Sequence, residues 1–253
     1  MKYFADVSVD SINKHGEELC GDKVEVVRTE DSTIVVLADG LGSGVKANIL
    51  ATLTTKIAAT MLREGADIYE TVDTIVKTLP VCQVRQLAYS TFAIVKIQGD
   101  REVYIAEYDN PPIFFYRNGK YEDLPRKSLV ISGKTIQESS FELMEEDTLV
   151  LVSDGVIHAG VGGFMNLGWQ WPQVKEFLDR RIGKKSAKII SNDLVEACSC
   201  LYMEKPGDDT TVATIKIRRP ETLHLFTGPP EDYRVDGWLV RELVESSGKR
   251  VIC

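Results

Sequence analysis

Two antiparallel β-sheets packed face to face, with helices on both outer faces, form the α/β sandwich that the sequence predicts. Three observations lead to it. Strand-type runs gather in two β-rich blocks, and two helix-type segments follow each block. The strict βαβ alternation of a doubly wound parallel sheet is absent.

The elements follow in order. Residues 5–9 alternate weakly and predict a first strand. Residues 24–28 and 33–38 are stronger strands, joined by the turn-forming Glu30-Asp31-Ser32. The glycine-rich Gly40-Leu41-Gly42-Ser43-Gly44 then opens a long helix, with Ser43 placed to cap it. In that helix Ile49, Leu50, Leu53, Ile57, Met61 and Leu62 recur at helical spacing, and Gly65 marks the end. A second helix over 67–79 stops at Pro80.

The middle of the chain is β-rich. Residues 91–97, 102–107, 113–117 and 129–132 are short runs bounded by Gly, Pro, Asn or Asp, and Gly99-Asp100 and Asn118-Gly119 are hairpin signals. Residues 147–153 form a further strand, 160–168 a glycine-dense loop expected to be mobile, 171–181 and 187–203 helices, and 211–217 a closing strand. From about residue 221 the character changes. Residues 223–226 read as a strand, 232–245 as a helix and 249–253 as the start of another strand. So short a piece cannot hold a core of its own. The expected organisation is a main domain over 1–219 and an appendage over 220–253, which either packs on it or belongs to a truncated second domain.

The chain has 253 residues, of which 43% are apolar and 27% charged, enough for one large domain with a substantial core. With 30 basic and 38 acidic residues its net charge is −8, which argues against a nucleic-acid or anionic-membrane binder. Five cysteines form no regular framework, and Cys198 and Cys200 lack the partners of a zinc site. Reduced thiols in a cytoplasmic protein are the expectation. The start, Met1-Lys2-Tyr3-Phe4-Ala5-Asp6, has no long apolar stretch, and no 18-residue apolar run occurs, so neither a signal peptide nor a membrane span is expected.

Three aspartate turns lie at the ends of apolar strands: Asp39-Gly40 after residues 35–38, Asp154-Gly155 after 149–153, and Asp208-Asp209 before the closing strand. A strand that empties onto Asp-Gly fixes a carboxylate at a sheet edge, and the glycine allows backbone or ligand to come close. Several such edges converging would gather anionic oxygens that repel one another unless a hard divalent cation neutralises them. The pattern points to Mg²⁺- or Mn²⁺-assisted chemistry. Gly42-Ser43-Gly44 is not followed by the Gly-Lys-Ser/Thr of a nucleotide-binding loop.

Cys20-Gly21-Asp22, Ala38-Asp39-Gly40-Leu41-Gly42-Ser43-Gly44, Val152-Ser153-Asp154-Gly155-Val156 and Gly207-Asp208-Asp209-Thr210-Thr211-Val212 occur in an order that resembles the metal-dependent protein serine/threonine phosphatases of the protein phosphatase 2C superfamily. The resemblance is strongest to the bacterial SpoIIE-type branch and covers roughly residues 6–217. It implies an αββα sandwich and two Mn²⁺ or Mg²⁺ ions. Asp39 would bridge the ions, Gly40 and Asp22 would complete one shell, and Asp154 and Asp208 would hold the second. Asp39 and Asp154 are then the catalytic carboxylates, through a water aimed at phosphorus. The resemblance also implies a phosphorylated bacterial regulatory protein as substrate. Asp209 is adjacent to a ligand and has either a supporting role or none.

Departures from the family pattern are present. Glu18 stands where many eukaryotic members have a phosphate-gripping arginine, leaving Lys14 and Lys46 as candidates, each plainly readable as a solvated lysine. Tyr108-Asp109-Asn110-Pro111-Pro112 replaces a Gly-His-Pro stretch. His158, four residues beyond Asp154, is a candidate proton donor or an ordinary loop histidine. Trp169 and Trp171 beside the 160–168 loop are candidates for substrate contact or for packing. Two rivals remain: a weakly catalytic sensor module of the same fold, and a small-molecule phosphoesterase. The appendage, with no catalytic motif, is expected to recruit a regulatory partner.

Overall fold

The computed structural model describes residues 3–79, 90–99, 101–163, 165–183, 185–219, 234–235 and 238–239. The chain divides into two compact units, Met1–Arg219 and Pro220–Cys253. Among the described residues of the first, eleven strands build two antiparallel sheets. β1 (Phe4–Ile12), β11 (Thr210–Arg218), β10 (Thr148–Val152), β6 (Phe114–Arg117) and β7 (Lys120–Glu122) lie side by side in that order. The other sheet runs β2 (Asp22–Arg28), β3 (Ser32–Gly40), β4 (Ser90–Gln98), β5 (Glu102–Tyr108), β9 (Lys134–Glu142), β8 (Lys127–Ile131). Helices α1 (Gly44–Arg63) and α2 (Ile68–Thr78) cover the second sheet, and α4 (Trp171–Asp179) and α5 (Ala187–Leu201) cover the first.

Strand periodicity explains the four layers. Side chains alternate across a strand, so a strand buried on both faces serves two cores. Along β3, Val35 and Leu37 point between the sheets, while Ile34, Val36 and Ala38 meet the α1–α2 layer. In the other sheet Leu149, Leu151, Ala213 and Ile215 enter the inter-sheet core, and Val150, Val152 and Val212 meet α4 and α5.

The expected strands and helices are found with shifts of a few residues at their ends. Asn118 and Gly119, at φ +51° and +72°, form the two-residue turn between β6 and β7. Gly99 leaves β4 at φ +59°, and Asp100 lies outside the described residues. Two strands were not foreseen: β7 is three residues long, and β9 carries so many polar side chains that only Ile136 and Phe141 mark its two faces. The four-residue helix α3 (Asp154–Ile157) was also missed.

In the second unit the expectation of a helix over 232–245 is corrected at the described positions. β12 (Arg234–Val235) pairs antiparallel with β13 (Trp238–Leu239). In sequence the two pairs are separated by Asp-Gly, a composition that favours hairpins. Residues 223–226 and 249–253 lie outside the described residues.

Candidate active site

One end of the sandwich collects the strand-end aspartates from both sheets. In the second sheet β2 starts at Asp22 and β3 finishes on Asp39-Gly40, and the register sets Asp22 opposite Asp39. In the first, β10 runs out at Val152, Ser153 occupies the N-cap position of α3 without a cap bond from its hydroxyl, and Asp154 opens the helix; neighbouring β11 begins just after Asp208-Asp209. Ser153 ties the two segments together: its N–H donates to the Thr211 carbonyl at 3.0 Å, and its Oγ accepts from the Thr211 N–H at 2.9 Å.

The glycines of both Asp-Gly pairs are dictated by close approach. A Cβ on Gly40 would stand 2.0 Å from the Ala47 carbonyl oxygen, and one on Gly155 would stand 2.0 Å from the Asp209 carbonyl oxygen. Any larger residue would drive α1 off β3, or push the 208–209 turn away from Asp154. Ser43 occupies the N-cap position of α1, as expected, but its hydroxyl makes no cap bond. It donates instead to Glu17 Oε1 at 3.0 Å, placing that carboxylate at the helix start.

Asp39, Gly40, Asp154 and Asp208 line one cleft of about 390 Å³, together with Lys14, Leu41, Gly42, Ser43, Ser90, Thr91 and Asp109. Asp22 is not on the cleft surface. It is 4% exposed and lies behind, and neither of its carboxylate oxygens accepts a hydrogen bond of regular geometry. Asp209 is equally buried. Its Oδ1 accepts from the Lys14 N–H at 3.0 Å, and its Oδ2 has no partner.

The electrostatics show how closely these groups act on one another. Burial pushes the Asp22 carboxyl up to about 7, against the nearby Ser153 and Thr211 hydroxyls and helped by the charges of Asp209 and Asp154. Burial, then the charges of Asp22, Asp154 and Asp208, push Asp39 up to about 9. Burial and Asp154 raise Asp208 as well. Burial together with Asp22 lifts the Cys20 thiol to about 12, so Cys20 is an inert neutral neighbour.

Buried, unpartnered carboxylate oxygens that raise one another's proton affinity are a donor set suited to hard divalent cations. The cleft residues therefore fit Mg²⁺ or Mn²⁺. Among the described residues, no three Asp, Glu, His or Cys side chains converge on one point with metal-ligand geometry. The carboxylates share a cleft without a pre-assembled shell.

Asp109 lines the cleft too, and the sequence marked it only as part of the stretch that replaces Gly-His-Pro. It sits at φ +49° in the turn after β5 and lines both the cleft and a second groove of about 390 Å³. That groove shares Asp154 and is floored by Pro111, Pro112, Ile157 and Trp171, with His158 beside them. His158 Nδ1 lies 3.9 Å from Asp154 Oδ2. Trp171 is fixed by its indole N–H donating to the Pro112 carbonyl at 2.9 Å and by stacking on Phe114 at 4.7 Å. Trp169 packs edge-on to Phe177 in the core beneath α4. Of the two lysines considered for phosphate capture, Lys14 lines the cleft, whereas Lys46 is an exposed residue of α1 outside its lining.

Comparison with known proteins agrees with this architecture. The family model for stage II sporulation protein E (SpoIIE) matches residues 29–218. A structure of the PP2C phosphatase domain and a fragment of the regulatory domain of SpoIIE from Bacillus subtilis superposes with a TM-score of 0.72 at 19% identity, covering 87% of this chain and 63% of that one. The RsbU and RsbW domains of a Mycobacterium tuberculosis protein give 0.66 at 18% identity, covering 85% and 60%. RsbX in complex with magnesium gives 0.59 at 18% identity, covering 84% and 95%. The chain thus spans less than two thirds of the first two of these structures. At such identities they show a shared PP2C fold. No curated protein matches the chain in sequence.

Proposed function

The chain belongs to the stage II sporulation protein E family, and on that premise we propose that it is a metal-dependent phosphoprotein phosphatase acting on phosphoserine or phosphothreonine. The observation that carries this reading is the acidic cleft itself, which Asp39, Asp154 and Asp208 line while the buried Asp22 stands behind them with neither oxygen in a hydrogen bond of regular geometry.

Asp22, Asp39, the Gly40 carbonyl, Asp154 and Asp208 would hold two Mn²⁺ or Mg²⁺ ions. Such ions, when bound, supply Lewis-acid activation of a water and neutralise charge on the phosphoryl group. The reaction forms a bond from the water oxygen to phosphorus and breaks the bond from phosphorus to the seryl or threonyl oxygen. The water gives up one proton and the departing oxygen gains one, so the products are the free hydroxyl and inorganic phosphate. Asp154 stands on the cleft wall, and His158, 3.9 Å from it, would return a proton to the departing oxygen. The adjoining groove floored by Pro111, Pro112 and Trp171 gives room for the polypeptide on either side of the phosphorylated residue.

The substrate we propose is a phosphorylated bacterial regulatory protein, in a cytoplasmic setting, with the 220–253 unit as the site of a regulatory partner. Neither nucleic acid nor a membrane is a partner in this reading. No helix among the described residues is long and apolar enough to cross a membrane.

Replacing Asp39 or Asp154 with asparagine is expected to lower Mn²⁺-dependent hydrolysis of p-nitrophenyl phosphate by at least about a hundredfold, as loss of an electrostatic catalytic group does. Undiminished turnover in both variants ends the catalytic assignment. Faster turnover of free nucleotides than of a phosphopeptide would move the substrate to small phosphoesters.

A further inference from the structure

Charge in the cleft does not balance without a fixed cation. With cations bound, Asp22, Asp39, Asp154 and Asp208 would bring four negative charges, and Asp109 on the cleft wall a fifth. Two divalent ions would cancel four of these, and a phosphoryl dianion would still enter a negative field.

Among the described residues, Lys14 is the one basic side chain lining the cleft. It is half-buried, and among the described residues its ammonium makes no ion pair within 4.0 Å. Its charge is close enough to act on Asp208, holding that carboxyl down against the burial that raises it.

The backbone beneath Lys14 is anchored. Its own N–H donates to the buried Asp209 Oδ1 at 3.0 Å, and the next residue, His15, donates to the Pro206 carbonyl at 2.8 Å. Farther along the same loop, Glu17 accepts from Ser43, and Asn48 of α1 donates to the Cys20 carbonyl at 2.8 Å. The segment that carries Lys14 is therefore tied both to the turn before β11 and to the start of α1. An aspartate at 209, adjacent to a cleft carboxylate, gains a definite role here: it fixes the position from which the lysine side chain leaves the backbone.

We propose that Lys14 is the phosphoryl-gripping group of this site, its ammonium donating to the phosphoryl oxygens while the carboxylates hold the cations. The proposal rests on the phosphatase reading above. A lysine serves here as a point charge, without the bidentate geometry of an arginine fork. That makes the grip one of charge more than of orientation, so Arg is an adequate replacement and a neutral side chain is not.

The test uses the full chain and three variants, Lys14→Gln, Lys14→Arg and, as a control of equal charge change outside the cleft, Lys46→Gln. Inorganic phosphate binding to the Mn²⁺-loaded protein and Mn²⁺ binding alone are both followed by calorimetry, and p-nitrophenyl phosphate turnover is measured alongside. For Lys14→Gln, phosphate binding is expected to weaken and KM to rise, each by about tenfold or more, as for loss of a charged hydrogen bond. Mn²⁺ affinity is expected to be unchanged or tighter, because a positive charge near the cations has gone. Lys14→Arg should retain phosphate binding within about threefold of the wild type, and Lys46→Gln should match the wild type. Unchanged phosphate binding in Lys14→Gln overturns the proposal, and so does weaker Mn²⁺ binding, which would make Lys14 an organiser of the metal shell. Phosphate binding is read without turnover. A chain that binds phosphate through Lys14 but hydrolyses no ester would therefore overturn the phosphatase reading and leave this assignment standing.

Discussion

Asp39 faces three other carboxylates, and its chemistry follows from that crowding. In the folded chain its carboxyl is pushed up to about 9 and that of Asp22 to about 7, from an ordinary 3.8. Raised acids keep protons in the fold that the unfolded chain releases. Their contribution to stability is complete below pH 3.8 and is lost as pH climbs through 7 and then 9. In a chelating buffer the melting temperature should therefore fall between about pH 5 and about pH 9. Asp39→Asn removes the most perturbed charge, so it should flatten the upper part of that fall and stabilise the metal-free protein at pH 8 by about 0.5–2 kcal/mol, the usual trade of function for stability. Mn²⁺ should raise the melting temperature of the wild type most at the alkaline end, and that gain should be absent from the variant. A variant with the same pH slope as the wild type would remove Asp39 from the repulsive cluster. Much of this was legible in the sequence, because Asp39, Asp154 and Asp208 each follow or precede an apolar strand. The burial of Asp22 behind the cleft was not, since no residue type in Gly21-Asp22-Lys23 separates a buried strand start from a simple turn. Asp109 was not either, as its place depends on a positive φ that no residue type announces.

Glycine and alanine decide how the elements meet. The Asp-Gly pairs read from the sequence as turns, but Gly40 and Gly155 are needed because α1 and the 208–209 turn press against them. Gly40→Ala should force the start of α1 away from β3, costing about 2–4 kcal/mol by overpacking against backbone and abolishing the Mn²⁺-dependent gain in melting temperature. Gly42→Ala is the contrast: nothing lies within 4 Å of its would-be Cβ, and only its φ of +107° opposes the change. That substitution should cost about 1 kcal/mol and leave the metal response intact. Chemical denaturation of the two variants with and without Mn²⁺ checks both, and equal costs would refute the contact argument. Helix α1 shows where periodicity misleads. Its helical spacing was legible, but its buried face is Ala47, Ala51, Thr54, Thr55, Ala58, Ala59 and Leu62, while Val45, Ile49 and Leu53 are exposed. A helix lying close over a sheet needs small residues at the contact, so the largest apolar side chains do not mark its inner face. Strand β9 escaped notice for the opposite reason, being too polar to stand out beside β8.

The whole molecule assembles its site from both sheets at one end, and this is why four ordered motifs carry more meaning than any one of them. Asp22 and Asp39 come from β2 and β3, Asp154 and Asp208 from the ends of β10 and β11, so the cleft exists only when the sandwich has closed. Which strands would neighbour one another was not legible. The order β1-β11-β10-β6-β7 places the first strand beside the last, a pairing that no local pattern encodes. Every residue assigned to the cleft lies between Lys14 and Asp209, inside the Met1–Arg219 unit. Among the described residues, the three hydrophobic cores also lie in that unit. A chain ending at Arg219 should therefore keep its fold, its Mn²⁺-dependent turnover and its melting temperature. Arg219 itself belongs with the first unit, through its 2.7 Å ion pair with Glu145, but both side chains are half-exposed, and solvent screens such a surface pair. Ending the chain at Arg218 instead should thus lower stability only slightly. A large loss of stability in the 1–219 chain would show that the second unit completes the fold of the first; unchanged stability with altered turnover would place its role in regulation.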